Sequence, residues 1–234
     1  MKLKQFRYSK DNLGYLIYGE KFAAAIDGGA VKNIVFFLKN HNLELRYVMN
    51  THTHPDHTVG NRALLDSTAA EYLEIADLIK KGSFEVEGNQ IRVYHTPGHT
   101  YDSVVYYFKN ILISGDTLFT GKAGRCFTGD LEGFLQSIKL LLVLPRDSLI
   151  YAGHDYVKEY LETAKSIEPD NIHIDGFLKN YDPEHVFSTL EDELKINPTL
   201  RFSDEKMISI LRERGLMHDT ELDCWKSLLG LAQK

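Results

Sequence analysis

The sequence predicts an α+β fold that ends in a helical extension. Three observations carry that expectation. Short apolar runs bounded by Gly, Asn or Pro recur up to about residue 167, as strands do. Between them lie stretches whose apolar residues recur at helical spacing. Beyond residue 167 helical spacing dominates and strand signals thin out. At 234 residues the chain suits one or two domains of about 150 residues each. The change of pattern places a mixed domain at 1–167 and a helical region at 168–234.

The first strands are expected at Leu3–Tyr8, Leu13–Tyr18 and Phe22–Ile26, separated by Asp11-Asn12 and Gly19-Glu20 turn residues. Asp27-Gly28-Gly29 then breaks the chain. Val31, Ile34, Val35 and Leu38 mark a helix over 31–39. Leu43–Met49 returns to strand, and the polar, His-rich segment Thr51–Asn61 is expected to be a loop. Strands resume at Phe84–Val86, Ile91–His95, Val104–Phe108 and Ile111–Ile113. A helix over Leu131–Leu144 stops at Pro145. A short strand at Leu149–Tyr151 precedes helical spacing at Tyr156–Ile167, Phe187–Lys195, Asp204–Arg214 and Thr220–Ala232.

Composition narrows the function. Hydrophobic residues at 43% and charged residues at 26% exclude a disordered tail or a collagen-like fibre. With 27 Lys and Arg against 33 Asp and Glu, the chain offers no broad basic face, which argues against a nucleic-acid partner. Cys126 and Cys224 have no paired spacing, so a reducing interior is expected rather than a disulfide framework. No segment approaches 18 uninterrupted apolar residues, and the N-terminal stretch lacks a signal-like apolar run. The expectation is a cytoplasmic protein with no membrane partner and an open oligomeric state.

The chemistry concentrates in Thr51-His52-Thr53-His54-Pro55-Asp56-His57. Imidazole and carboxylate are good ligands for zinc, iron or manganese. On an extended segment His52 and His54 point to the same side. Asp56 and His57 fall where the chain turns, so they can face a second centre. Pro55 fixes φ and stiffens that turn. Three further candidates each follow a strand and a glycine: His99 after Gly98, Asp116 after Gly115 and His154 after Gly153. Lone histidines such as His41, His95, His173, His185 and His218 read as surface or satisfied core residues.

At these positions the sequence resembles the metallo-β-lactamase superfamily. The signature His-x-His-x-Asp-His is met by His52, His54, Asp56 and His57, and the later ligands by His99, Asp116 and His154. The resemblance covers about residues 1–165 and implies a four-layer αββα sandwich with a small helical C-terminal extension. Gly153-His154-Asp155-Tyr156, Glu168-Pro169-Asp170-Asn171 and Asn197-Pro198-Thr199-Leu200-Arg201 are similar to stretches of the glyoxalase II (hydroxyacylglutathione hydrolase) branch. That branch implies hydrolysis of an S-acyl glutathione or similar thioester by a metal-bound hydroxide. By the family's pattern His52, His54 and His99 hold one divalent ion, and Asp56, His57 and His154 hold the other. Asp116 bridges them, which gives Asp56 and Asp116 catalytic roles. Zinc is the expected metal, with iron or manganese as alternatives.

The candidate substrate residues are Arg125, Phe127, Tyr156 and Arg201, which lie in family-like stretches, and Lys206, a further basic residue on the helical region with Arg201. There are departures. Phe127 stands where the family usually has Tyr, Thr199 replaces the customary Phe, and Pro55 is not the usual residue between the second His and the Asp. These leave the thiol carrier open. Cys126 has no activating base beside it and is not read as a nucleophile. The rival reading is a persulfide dioxygenase-like oxidoreductase with one iron on His52, His99 and Asp116.

Overall fold

The computed structural model describes residues 1–232. A first sheet holds β1 (Lys2–Tyr8), β2 (Asn12–Tyr18), β3 (Phe22–Ile26), β4 (Glu44–Met49) and β5 (Glu71–Tyr72) in that order. β1 to β3 form an antiparallel meander, and β3, β4 and β5 run parallel. α1 (Val31–Asn40) makes the crossover from β3 to β4. Three short helices follow β4: α2 (Pro55–Thr58), α3 (Asn61–Ser67) and, after β5, α4 (Ile75–Lys81).

The second sheet begins with the antiparallel strands β6 (Ser83–Val86), β7 (Asn89–His95), β8 (Val104–Phe108) and β9 (Ile111–Gly115). A small hairpin of β10 (Leu118–Phe119) and β11 (Lys122–Ala123) leads to α5 (Leu131–Leu142). β12 (Leu149–Ala152) pairs parallel to β9 and is followed by α6 (Val157–Ile167) and α7 (Ile172–Asn180). β13 (Ser188–Thr189) adds to β12, giving the order β13-β12-β9-β8-β7-β6. The chain closes with α8 (Leu190–Ile196), a 3-10 turn at Pro198–Leu200, α9 (Glu205–Glu213) and α10 (Glu221–Ala232).

The burial pattern shows why these runs are strands. Alternate residues of a strand face opposite sides. In β8, Val104, Tyr106 and Phe108 face the core between the sheets, while Val105 and Tyr107 face the outer helices. Both faces are covered, so the run is apolar throughout. The inter-sheet core also takes Tyr15, Ile26, Met49, Ile113 and Tyr151. Ile34 and Leu38 of α1 and Leu64 of α3 cover the outer face of the first sheet. Phe134 and Ile138 of α5, with Trp225 and Leu228 of α10, cover the second. The result is the expected αββα sandwich.

The tail beyond residue 167 belongs to this packing. β13 extends the second sheet, and Trp225 is fully buried with its ring 5.4 Å from Phe134. Two expectations change. The segment 51–61 is not all loop, because Pro55 at the first helical position starts the one-turn α2. The segment 187–195 is not one helix, because Ser188 and Thr189 pair with β12. Thr189 then caps α8 in a reciprocal capping box with Asp192, which sets the true helix start. α3, α4 and α7 lie where the sequence reading placed no element.

Candidate metal centre

The loops after β3, β4, β7, β9 and β12 converge at one edge of the two sheets, where loops carried by a rigid scaffold commonly gather functional groups. His52 follows β4. His54 heads α2, and its carbonyl accepts from the His57 and Thr58 amides. That helical turn carries Asp56 toward His154 and leaves His57 between the two sets, its ring 4.1 Å from that of His52 and 5.2 Å from that of His154. His99, Asp116 and His154 arrive from the other sheet. Gly98 is needed at φ +148°, where a Cβ would lie 2.1 Å from Phe134. Gly153 is needed for room, since its Cβ would fall 2.2 Å from Asp116 Oδ1.

The seven predicted side chains meet. His54 Nδ1 lies 2.9 Å from His52 Nε2 and 3.1 Å from His99 Nε2. On the other side His57 Nε2 is 3.2 Å from His154 Nε2. Asp56 Oδ2 is 3.6 Å from His57 Nε2 and 3.3 Å from His154 Nε2. Asp116 stands between the two sets. Its Oδ2 is 3.4 Å from His99 Nε2 and 3.6 Å from His154 Nε2, and its Oδ1 is 3.4 Å from His57 Nε2. Ligand atoms bound to one tetrahedral ion at about 2.0–2.1 Å lie roughly 3.3–3.4 Å apart. The observed spacings scatter around that edge length.

Outer partners set which way each ring faces. His57 Nδ1 meets Asp27 at 2.9 Å, and His154 Nδ1 meets Asp11 at 3.0 Å. His99 Nδ1 meets the Arg125 carbonyl at 2.9 Å, and His52 Nδ1 meets the Thr51 hydroxyl at 3.1 Å. A proton on each Nδ1 leaves the Nε2 lone pair aimed inward, the arrangement a metal-binding imidazole needs. Asp116 Oδ1 is buried and accepts no hydrogen bond. The residues therefore fit a pair of divalent cations.

The sequence reading missed Asp27 and Asp11. Asp27 is fully buried, has φ +51°, and also accepts from the Thr51 amide at 2.9 Å and hydroxyl at 2.7 Å. Its one sequence signal was the Asp-Gly-Gly break after β3.

The electrostatics agree with the fit. Burial opposes charge on His57, yet Asp27 and Asp116 lift its pKa to about 11. Burial, and then the charge on His57, pull His52 down to about 3. Burial would raise Asp116, but the nearby His57 holds it well below the usual carboxylate range. The carboxylates draw positive charge into the cluster, which is what a divalent ion supplies.

The superfamily profile described as metallo-beta-lactamase matches residues 13–83 and 69–154. The chain belongs to that superfamily. A hydroxyacylglutathione hydrolase of Pelagibacter ubique is 30% identical, over 91% of this chain and 98% of its own. One from Bartonella tribocorum is 34% identical, over 87% of this chain and 89% of its own. These relatives place the chain in the hydroxyacylglutathione hydrolase-like branch, as the sequence motifs implied. Among solved structures, ETHE1 from Myxococcus xanthus covers 100% of this chain and 99% of its own, at 23% identity and a TM-score of 0.64.

Three of the five expected substrate residues border the metallo-beta-lactamase centre. Phe127 is 57% exposed, with its ring 5.1 Å from His99 and 5.6 Å from His54. The Arg125 guanidinium lies 5.0 Å from the Phe127 ring. Tyr156 stacks on His154 at 4.9 Å, with 6° between the planes. The structure does not bring Arg201 and Lys206 to these three. Arg201 pairs with Glu168 at 2.6 Å, and Lys206 reaches Glu168 at 2.9 Å and Asp170 at 3.0 Å. Glu168 caps the far end of α6, and an eleven-residue helix separates it from Tyr156 by roughly 18 Å.

Proposed function

We propose that the protein hydrolyses the thioester of an S-hydroxyacyl glutathione, or of a close analogue, at a centre of two divalent ions. The convergence of two triads on Asp116 carries this reading. The names of the relatives support it. His52, His54 and His99 would hold one ion, and Asp56, His57 and His154 the other, with Asp116 facing both. Zinc suits these nitrogen and oxygen donors. Such a pair supplies a water deprotonated near neutral pH and a Lewis acid for the carbonyl oxygen.

The chain's own part is binding and orientation. Phe127 offers an exposed apolar ring beside the first triad, against which the acyl group would lie. Arg125 places a guanidinium at the same rim for a carboxylate of the carrier. Tyr156 places a phenol beside His154. A thiol with a pKa of about 8.5 leaves as the thiolate, so the chain need supply no strong general acid. Free Cys126 and Cys224 suit a reducing cytoplasm. Among the described residues no helix is long and apolar enough to cross a membrane.

A single iron on His52, His99 and Asp116 would leave Asp56, His57 and His154 idle. Each of those three has its own outer partner, which supports the two-ion reading instead. The test pairs metal analysis with hydrolysis of S-D-lactoylglutathione. The expected result is about two metals per chain with turnover. A single iron per chain, no thioester turnover, and oxygen consumption with glutathione persulfide would overturn the proposal.

A further inference from the structure

Glu159 and Tyr160 lie three and four residues after Tyr156, and Thr163 and Ser166 follow Tyr160 at intervals of three, so the five share one face at α6. That face begins at His154, on which Tyr156 stacks. Its other end, with Leu231 of α10, walls a cavity of about 450 Å³. Lys122 of β11 lines the same cavity. The two ends are continuous through aromatic contacts, since Tyr160 lies 5.2 Å from Tyr156 and the Lys122 ammonium lies 4.5 Å from the Tyr160 ring.

Lys122 is only 9% exposed, and among the described residues its ammonium has no ion pair or hydrogen bond. Burying a charge without a direct ion pair is unfavourable, and the Tyr160 ring and the more distant charge of Glu159 compensate it only in part. The fold nonetheless fixes Lys122 firmly. Its two chain neighbours are tied to the C-terminal tail: Glu193 accepts from the Gly121 amide at 2.9 Å, and the Thr199 hydroxyl accepts from the Ala123 amide at 2.7 Å. Thr199 is a position where the chain departs from its family, and a Phe there could not make that bond. Glu159 and Glu162 stand on the α6 side of the same cavity.

We infer that this groove binds the zwitterionic amino-acid end of the thiol carrier, with Lys122 taking the α-carboxylate and Glu159 the α-ammonium. A carrier end with one charge would be attracted by one of these groups and repelled by the other. An α-amino acid end satisfies both. Arg125, nearer the metal cluster, is left for a second carboxylate. The inference rests on the thioester lying beside Tyr156.

The test is calorimetric binding of two non-hydrolysable probes to the metal-loaded protein: S-methylglutathione, and S-methylcysteinylglycine, which lacks the γ-glutamyl end. Wild type is expected to prefer S-methylglutathione by roughly tenfold or more, the scale of a charge-assisted hydrogen bond. Lys122→Met, which keeps the apolar stem, and Glu159→Gln should each remove most of that preference. Metal content and affinity for the shorter probe should stay unchanged. Equal weakening of both probes, no weakening, or no preference in wild type overturns the groove. Thioester turnover is measured separately. Preference without turnover rejects the hydrolase reading and keeps the groove, and turnover without preference does the reverse.

Discussion

The two triads around Asp116 are built from similar donors but held differently. In the first, His52 and His99 lean on neutral groups, the Thr51 hydroxyl and the Arg125 carbonyl. In the second, His57 and His154 lean on the carboxylates of Asp27 and Asp11, and Asn12 donates to Asp56 at 2.9 Å. A carboxylate behind an imidazole raises its basicity and fixes its orientation more strongly than a neutral acceptor does. The second site is thus reinforced by charge, and the first by neutral groups. A shared bridging ligand does not make the two sites equal.

Asp116→Ala should have the largest effect, because Asp116 faces both triads. Both ions should be lost or weakened, and kcat/KM should fall by on the order of a thousandfold or more, equivalent to several kcal/mol of transition-state stabilisation. Metal analysis and S-D-lactoylglutathione turnover measure this together. Asp56→Ala should remove one ion and most of the activity while the first triad keeps its metal. Loss of both ions from Asp56→Ala would show the sites to be interdependent and break the comparison.

Asp27→Asn sharpens the comparison further. It keeps the size of the side chain and removes the charge behind His57. Metal titration should show the second site weakened by about 10–100-fold, the usual effect of an outer partner, and the first site weakened less, through the Thr51 hydroxyl that joins Asp27 to His52. Equal weakening of both sites would falsify the division between a charge-held triad and one held by neutral groups.

The sequence made the ligands legible because four of them share one heptapeptide and the other three each follow a glycine at a strand end. Most strands were legible because their apolar runs are bounded by turn residues. Asp27 and Asp11 were not legible. Each reaches a histidine far away in the chain, and a lone Asp in a turn looks the same with or without such a bond. The short helices α3 and α4 have seven residues each, too few for a helical period to stand out. β13 is a two-residue strand that exists only through its pairing with β12. Lys122 was passed over because a lysine in a Gly-rich turn reads as solvated, whereas tertiary packing buries it.

Arg201 should show the smallest effect on activity, although the sequence makes it a candidate for the substrate. Glu168, its partner, is 3% exposed. Burial would raise the Glu168 pKa, but Arg201, Lys206 and Asn171 hold it below the ordinary glutamate value of 4.5. A carboxylate whose pKa falls on folding stabilises the fold above its unfolded pKa, and that stabilisation is lost as pH drops through the folded value. Arg201→Ala should therefore lower the melting temperature at pH 7. Removing the charged partner of a buried carboxylate costs about 1–3 kcal/mol, and Lys206 should keep the loss near the lower end. The gap between variant and wild type should narrow as the pH falls below about 4.5, where Glu168 is neutral in the unfolded chain and becomes neutral in the folded one. KM for the thioester should stay within about twofold, well under the tenfold that 1.4 kcal/mol of lost binding would bring. Thermal unfolding across pH, run beside steady-state kinetics, separates the two roles. A tenfold rise in KM with an unchanged melting temperature would place Arg201 on the substrate and detach it from Glu168.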